Sequence, residues 1–96
     1  MKRGRRTRPA AHWFVYMLEC RGGRLYTGVA VDVAARFAQH CAGSGAAFTR
    51  GFKPLRVLAQ VRCADRSAAL KAEYALKRLS RADKLRWVAR PRAEVC

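Results

Sequence analysis

The sequence predicts an α+β fold: a small three-stranded antiparallel sheet flanked by helices, in the order β-β-α-β-α-α. Three observations carry this. Two short β-prone runs flank a glycine-containing turn, a third run near the middle alternates apolar and polar residues, and three stretches open on a capping residue and continue with apolar residues at helical spacing. At 96 residues the chain makes one domain at most, with a small core.

Trp13-Phe14-Val15-Tyr16-Met17-Leu18 is dense, apolar and short, which suits a strand better than a helix. Cys20 to Arg24 supplies a turn with Gly22 and Gly23 available for positive φ, and Leu25 to Val29 returns as the second strand of a hairpin. Asp32 reads as the N-cap of a helix running from Val33 to about Ala42, with Val33, Ala34, Phe37, Ala38 and Cys41 as its apolar stripe. Residues 43–55 read as a loop. From Arg56 to Cys63, Val57, Ala59, Val61 and Cys63 face one way, and Leu58 breaks the otherwise polar second face. Asp65 caps a helix over 66–79 with Ala69, Ala72, Leu76 and Leu79 buried. Ser80 and Asp83 form a capping-box pattern that opens a last helix ending before Pro91.

The 21 Lys and Arg against 6 Asp and Glu give a formal charge of +15, which points to a polyanion partner because phosphate neutralisation releases counterions. A hydrophobic share of 51% argues against overall disorder. Residues 1–11 read as a disordered basic arm, either a solubilising tail or a phosphate contact; residues 12–90 form the domain and 91–96 a C-terminal tail. No apolar run approaches the roughly 20 residues that span a bilayer, and no export signal is legible. Cys20, Cys41, Cys63 and Cys96 lack C-x-x-C spacing and read as free thiols in a reducing cytoplasm, the expected location. A zinc site built from them with His12 or His40 lacks recognisable ligand spacing.

Acids are scarce enough to account for individually. Asp32, Asp65 and Asp83 serve caps, Glu19 ends a strand, and Glu94 is in the tail. Glu73 has no such role and sits on the margin of the buried stripe, where either a divalent cation or an i,i+4 partner, Lys77, would satisfy it. Arg36 and His40 lie four apart on one helix edge, suited to phosphate and proton chemistry or to a solvated basic face. Tyr16 and Tyr26 sit on paired strands, as packing residues or as phenols for acid–base work.

Taken together, Phe14-Val15-Tyr16, Tyr26-Thr27-Gly28, Arg36 ten residues after Tyr26, His40 and the later Glu73 resemble the GIY-YIG nuclease domain over about residues 12–88, in particular its small stand-alone bacterial subgroup. The resemblance implies a metal-dependent endonuclease that hydrolyses DNA phosphodiesters with a single Mg2+ or Mn2+ ion, in repair or recombination. It implies Glu73 as the metal ligand and Tyr26 as the base that deprotonates water directly or through a chain. Tyr16 would position the nucleophile, Arg36 would stabilise phosphate charge, and His40 matches a histidine of some branches. Phe14 stands for the usual glycine, Thr27 for isoleucine and Val29 for a lysine. The chain has no asparagine for the family's late position, leaving Lys77, Lys53 or Arg50 to fill that role. Arg36, Arg50, Lys53 and Lys77 are the expected nucleic-acid contacts. DNA, including branched or damaged forms, is the expected partner, with RNA and a partner protein left open, no membrane, and oligomeric state unassigned. The competing readings are a non-catalytic nucleic-acid-binding module on the same fold and a basic RNA- or ribosome-associated protein.

Overall fold

The structure, a computed structural model, describes residues 12–90; the basic arm and the C-terminal tail lie outside the described residues. Strand β1 (Trp13–Cys20) and β2 (Arg24–Ala30) form the hairpin. Helix α1 (Val33–Cys41), a short α2 (Ala47–Gly51), β3 (Pro54–Cys63), α3 (Arg66–Lys77) and α4 (Arg81–Ala89) follow. The sheet is antiparallel throughout in the order β2-β1-β3, so β1 is central and β2 is an edge. Gly22 and Gly23 hold φ of 80° and 73° in the turn, where a Cβ would be strained.

Alternation along β1 divides the core in two. On one face Val15 packs with Val61, Cys63, Ala69 and Leu76, and Trp87 of α4 closes over this cluster. On the other face Tyr16, Leu18 and Cys20 pack with Val33 and Phe37 of α1 and with Phe52. The sheet is therefore covered on both sides, which is why β1 reads as a continuous apolar run.

Several details differ from the sequence reading; Leu79, expected in the buried stripe of the helix over 66–79, is 37% exposed just beyond the end of α3. Met17 faces Ala59 while Leu18 faces Val57, so Leu58 is an extra residue in a bulge; Leu55 is a second one, between Pro54 and Arg56. The bulge reverses the side-chain parity, and Val57 joins the Tyr16 cluster instead of lying with Val61 and Cys63. The loop at 43–55 contains α2, whose single turn and a half was too short to show a period. Buried positions on α1 are Val33 and His40, whereas Cys41, Ala34 and Ala38 are exposed, because the i, i+4, i+7 series of Val33, Phe37 and His40 faces the sheet. Cys20 and Cys41 carry free thiols, but Cys63 is disulfide-bonded, so the expectation of free thiols fails there. Among the described residues no helix is long and apolar enough to cross a membrane.

The caps form as the sequence requires. Asp32 accepts from the Ala35 N–H at 3.0 Å, Asp65 from the Ala68 N–H at 2.8 Å, and Ser80 from the Asp83 N–H at 3.1 Å. The Asp83 carboxylate, the other half of the expected box, pairs with Arg86. The Asp65 cap fixes the entry of α3, the helix that carries Glu73. Asp65→Ala is expected to cost about 1 kcal/mol of folding stability, seen as a lower urea midpoint at unchanged slope; an unchanged midpoint would show the cap to be replaceable.

Candidate active site

Tyr16 stands opposite Gly28 in the β1–β2 register, and this pairing sets the position of its phenol. A Cβ at Gly28 would fall 2.6 Å from Tyr16 Oη and 2.7 Å from its Cζ, so the ring passes directly over the glycine. Its hydroxyl meets His40 Nε2 at 2.9 Å, with both residues buried. On the far side of the imidazole, Nδ1 lies 2.8 Å from Thr49 Oγ1, and the Thr49 hydroxyl lies 2.9 Å from the Ala46 carbonyl.

The direction of this chain follows from its end. A carbonyl only accepts, so Thr49 donates to Ala46 and its oxygen accepts from the His40 Nδ1–H. His40 Nε2 then carries a lone pair, and the Tyr16 O–H donates to it. Burial pushes the His40 pKa down, and the Arg36 guanidinium pushes the same way, so the ring stays neutral as this arrangement requires. The Tyr16 phenol is pushed well above its ordinary value by burial and by neighbouring Tyr26, against the opposing pull of Arg36. Tyr16 thus keeps its proton on the His40 side and presents only acceptor lone pairs elsewhere.

Tyr26 is half-buried two positions before Gly28 on β2, opposite Leu18. Its ring meets His40 edge-on at 5.1 Å and stacks on Phe48 at 5.7 Å and 27°. Burial raises its pKa; Lys77 lowers it, Glu73 raises it and Arg36 lowers it. Glu73 also raises the Tyr16 phenol, so its carboxylate acts on both rings. Its side chain is 20% exposed and pairs with Lys77 Nζ at 3.2 Å. The ion pair read as one of two alternatives therefore forms, and it forms beside the phenols.

The structure thus gathers Tyr16, Tyr26, Arg36, His40, Glu73 and Lys77 into one neighbourhood. Arg36 is an exposed residue of α1 whose guanidinium reaches the Tyr16 hydroxyl, while His40, one turn on, is buried. Arg50 and Lys53 are exposed and line a separate cleft with His40 and Thr49, and Arg50 also donates to the Gly45 carbonyl at 3.1 Å. Two residues of the site were missed in the sequence: Thr49, hidden in an apparent loop, and Gly45, read only as a helix terminator. A Cβ at Gly45 would collide with His40 Nδ1 and would sit 2.9 Å from Cε1. The Gly43-Ser44-Gly45 triplet offered a signal, since a second glycine beyond the helix stop has no capping duty left.

Gly45→Ala is therefore expected to lower stability by about 1–3 kcal/mol and to displace the His40 ring, whereas Gly51→Ala, with open space around it, leaves the urea midpoint unchanged or slightly higher. Equal midpoints for the two variants would contradict the close approach.

Comparison with known proteins agrees with this architecture. The GIY-YIG catalytic domain family matches residues 12–86. A UPF0213 protein of Cupriavidus pinatubonensis is 58% identical over 78 residues, covering 81% of this chain and 87% of its own. A UPF0213 protein of Xanthomonas axonopodis pv. citri is 47% identical over 81 residues, covering 83% and 79%. The solution NMR structure of a UPF0213 protein from Bacillus halodurans matches with a TM-score of 0.54 at 38% identity, covering 85% of this chain and 87% of that one. With most of its length matched and its tyrosine pair, arginine and glutamate gathered in one place, this chain belongs to the GIY-YIG catalytic domain family, whose nucleases act on DNA.

Proposed function

We propose that the protein is a divalent-metal-dependent endonuclease that hydrolyses DNA phosphodiester bonds, on branched or damaged DNA in repair or recombination. The observation that carries the reading is the buried chain from Tyr16 through His40 to Thr49. A packing tyrosine needs one partner, and this one is locked into a single donor direction by three successive groups. A cytoplasmic location follows from chromosomal DNA as the substrate.

A hard divalent cation fits the residues present. Magnesium takes oxygen donors, keeps several waters and needs one or two carboxylates together with substrate phosphate. Glu73 offers one partly exposed carboxylate, and among the described residues no group of three or more His, Cys, Asp or Glu forms a closed cage. Glu73 would hold the ion, displacing Lys77. When bound, the ion supplies charge stabilisation at the phosphate.

The chain's own residues do the rest. Because Tyr16 donates to His40, its oxygen can only accept from the attacking water and so fixes one of that water's O–H bonds. Tyr26, whose hydroxyl is free of such a commitment, takes the other proton as tyrosinate, its own proton having first passed to solvent; burial opposes that ionisation, and Lys77 and Arg36 favour it. The exposed Arg36 guanidinium holds the scissile phosphate and faces the charge that gathers in the transition state. A non-catalytic module is favoured by one observation, the Glu73–Lys77 ion pair occupying the metal ligand.

Glu73→Gln is expected to abolish magnesium-dependent cleavage while leaving DNA affinity in EDTA unchanged. Wild-type inactivity on single-stranded, duplex and branched DNA with magnesium and manganese, alongside salt-sensitive binding, would favour the module instead. Thr49→Val leaves the His40 Nδ1–H without its acceptor and drives the ring toward the other tautomer. We expect kcat/KM to fall on the order of tenfold, with recovery in Thr49→Ser. Imidazole 15N shifts check the cause, and an unchanged tautomer in the valine variant would sink the assignment. Protonating His40 removes the Nε2 lone pair, so cleavage should decline on acidification with a midpoint below about 6.5. Folding stability declines over the same range, because the unfolded imidazole binds its proton at higher pH than the buried one.

A further inference from the structure

Beside the site lies a cleft between the hairpin turn and the start of α4, lined by Gly22, Gly23, Arg24, Phe48, Arg81 and Lys84. None of the chemistry above uses it. The three cations converge from two elements: Arg24 opens β2, while Arg81 and Lys84 lie three apart on α4. Their positions are structured. The Arg24 guanidinium lies 4.2 Å over the Phe52 ring, and Arg81 donates to the Gly23 carbonyl.

The cleft is not neutralised by the protein. Each carboxylate among the described residues is engaged elsewhere: Glu19 with Arg56, Glu73 with Lys77, Asp83 with Arg86, and Asp32 and Asp65 at helix caps. None of them lines the cleft. Three uncompensated cations in a concave surface form a site for a polyanion.

Phe48 decides which polyanion. It stands in the middle of an aromatic row, stacked on Tyr26 and tilted against Phe52 at 5.1 Å, yet it remains 36% exposed and lines the cleft, so the row that begins at the site reaches the cleft surface through this ring. A base inside a duplex has both faces covered by its neighbours. An unpaired base has a face to offer, and aromatic side chains beside cationic grooves are how single strands are held.

Building on the nuclease reading, we propose that this cleft holds the unpaired stretch of a nucleic-acid strand adjoining the bond presented to Tyr26 and Arg36. Phe48 stacks one base, and Arg24, Arg81 and Lys84 hold successive phosphates. The protein would thereby select junctions between paired and unpaired DNA without reading sequence.

The test is fluorescence anisotropy with the full chain in EDTA, so that cleavage plays no part. The probes are a blunt DNA duplex and the same duplex carrying a single-stranded tail. The wild type should favour the tailed duplex. Phe48→Leu should cost roughly tenfold on tailed DNA and leave blunt DNA unchanged, and Phe48→Tyr should restore the preference. Lys84→Gln leaves the ring row intact and should lower the log–log salt slope on tailed DNA by about 1. Equal wild-type affinity for the two probes, an equal effect of Phe48→Leu on both, or an unchanged slope in Lys84→Gln would overturn the cleft assignment while leaving the nuclease reading in place. Failure of the wild type to bind either probe would instead strike the nuclease reading itself.

Discussion

The donation of the Tyr16 hydroxyl proton to a neutral, buried His40 constrains much of what surrounds it. An imidazole buried at this depth must have both nitrogens satisfied, since an unpaired polar atom costs about 1–3 kcal/mol. The requirement explains several otherwise separate features. Thr49 must arrive behind His40, so the chain makes the short helix α2 there. Gly45 must lack a Cβ so that the ring has room, and Gly28 must lack one so that the phenol can cross β2. The fold's departures from regularity around α1 and α2 are largely what it takes to complete one line of hydrogen bonds.

The electrostatics of the site sit within a strongly basic molecule, where burial is the largest influence on both phenols and one acidic group adds to it. Glu73 raises both phenols, and Lys77 and Arg36 pull Tyr26 back down. The Glu73–Lys77 pair is partly exposed and lies one helical turn apart, a geometry worth only a few tenths of a kcal/mol. A contact this weak holds the carboxylate in place without committing it, which is what the metal role proposed for Glu73 requires.

Much of the fold was legible because local chemistry and global position agree. The hairpin follows from an apolar run, two glycines at positive φ and a second run, and α1, α3 and α4 start where Asp32, Asp65 and Ser80 cap them. Tyr16, Tyr26, Arg36, His40 and Glu73 were legible as a set through the resemblance to the GIY-YIG domain, each residue alone allowing a structural reading as well. What was not legible depends on contacts distant in sequence. His40 looked like an edge residue because histidine is not counted as apolar, yet its place in the series with Val33 and Phe37 buries it. Leu58 looked like an intrusion on a polar face, and only strand pairing reveals it as a bulge that turns Val57 over. Thr49 carries no signal of its own, because its role exists only once His40 is buried in front of it.

The same logic locates the weakest support of the site. Helix α2 has five residues and no side-chain N-cap, so its own hydrogen bonds cannot hold it, and short helices are marginal without packing. It is held by Phe48 against Tyr26, by Phe52 against the Tyr16 cluster, and by Arg24 over Phe52. Thr49 lies between these two phenylalanines, so the aromatic row from Tyr26 to Phe52 also aims the hydroxyl that sets the His40 tautomer. On the cleft proposal, a base stacked on Phe48 would brace the same row that flanks Thr49.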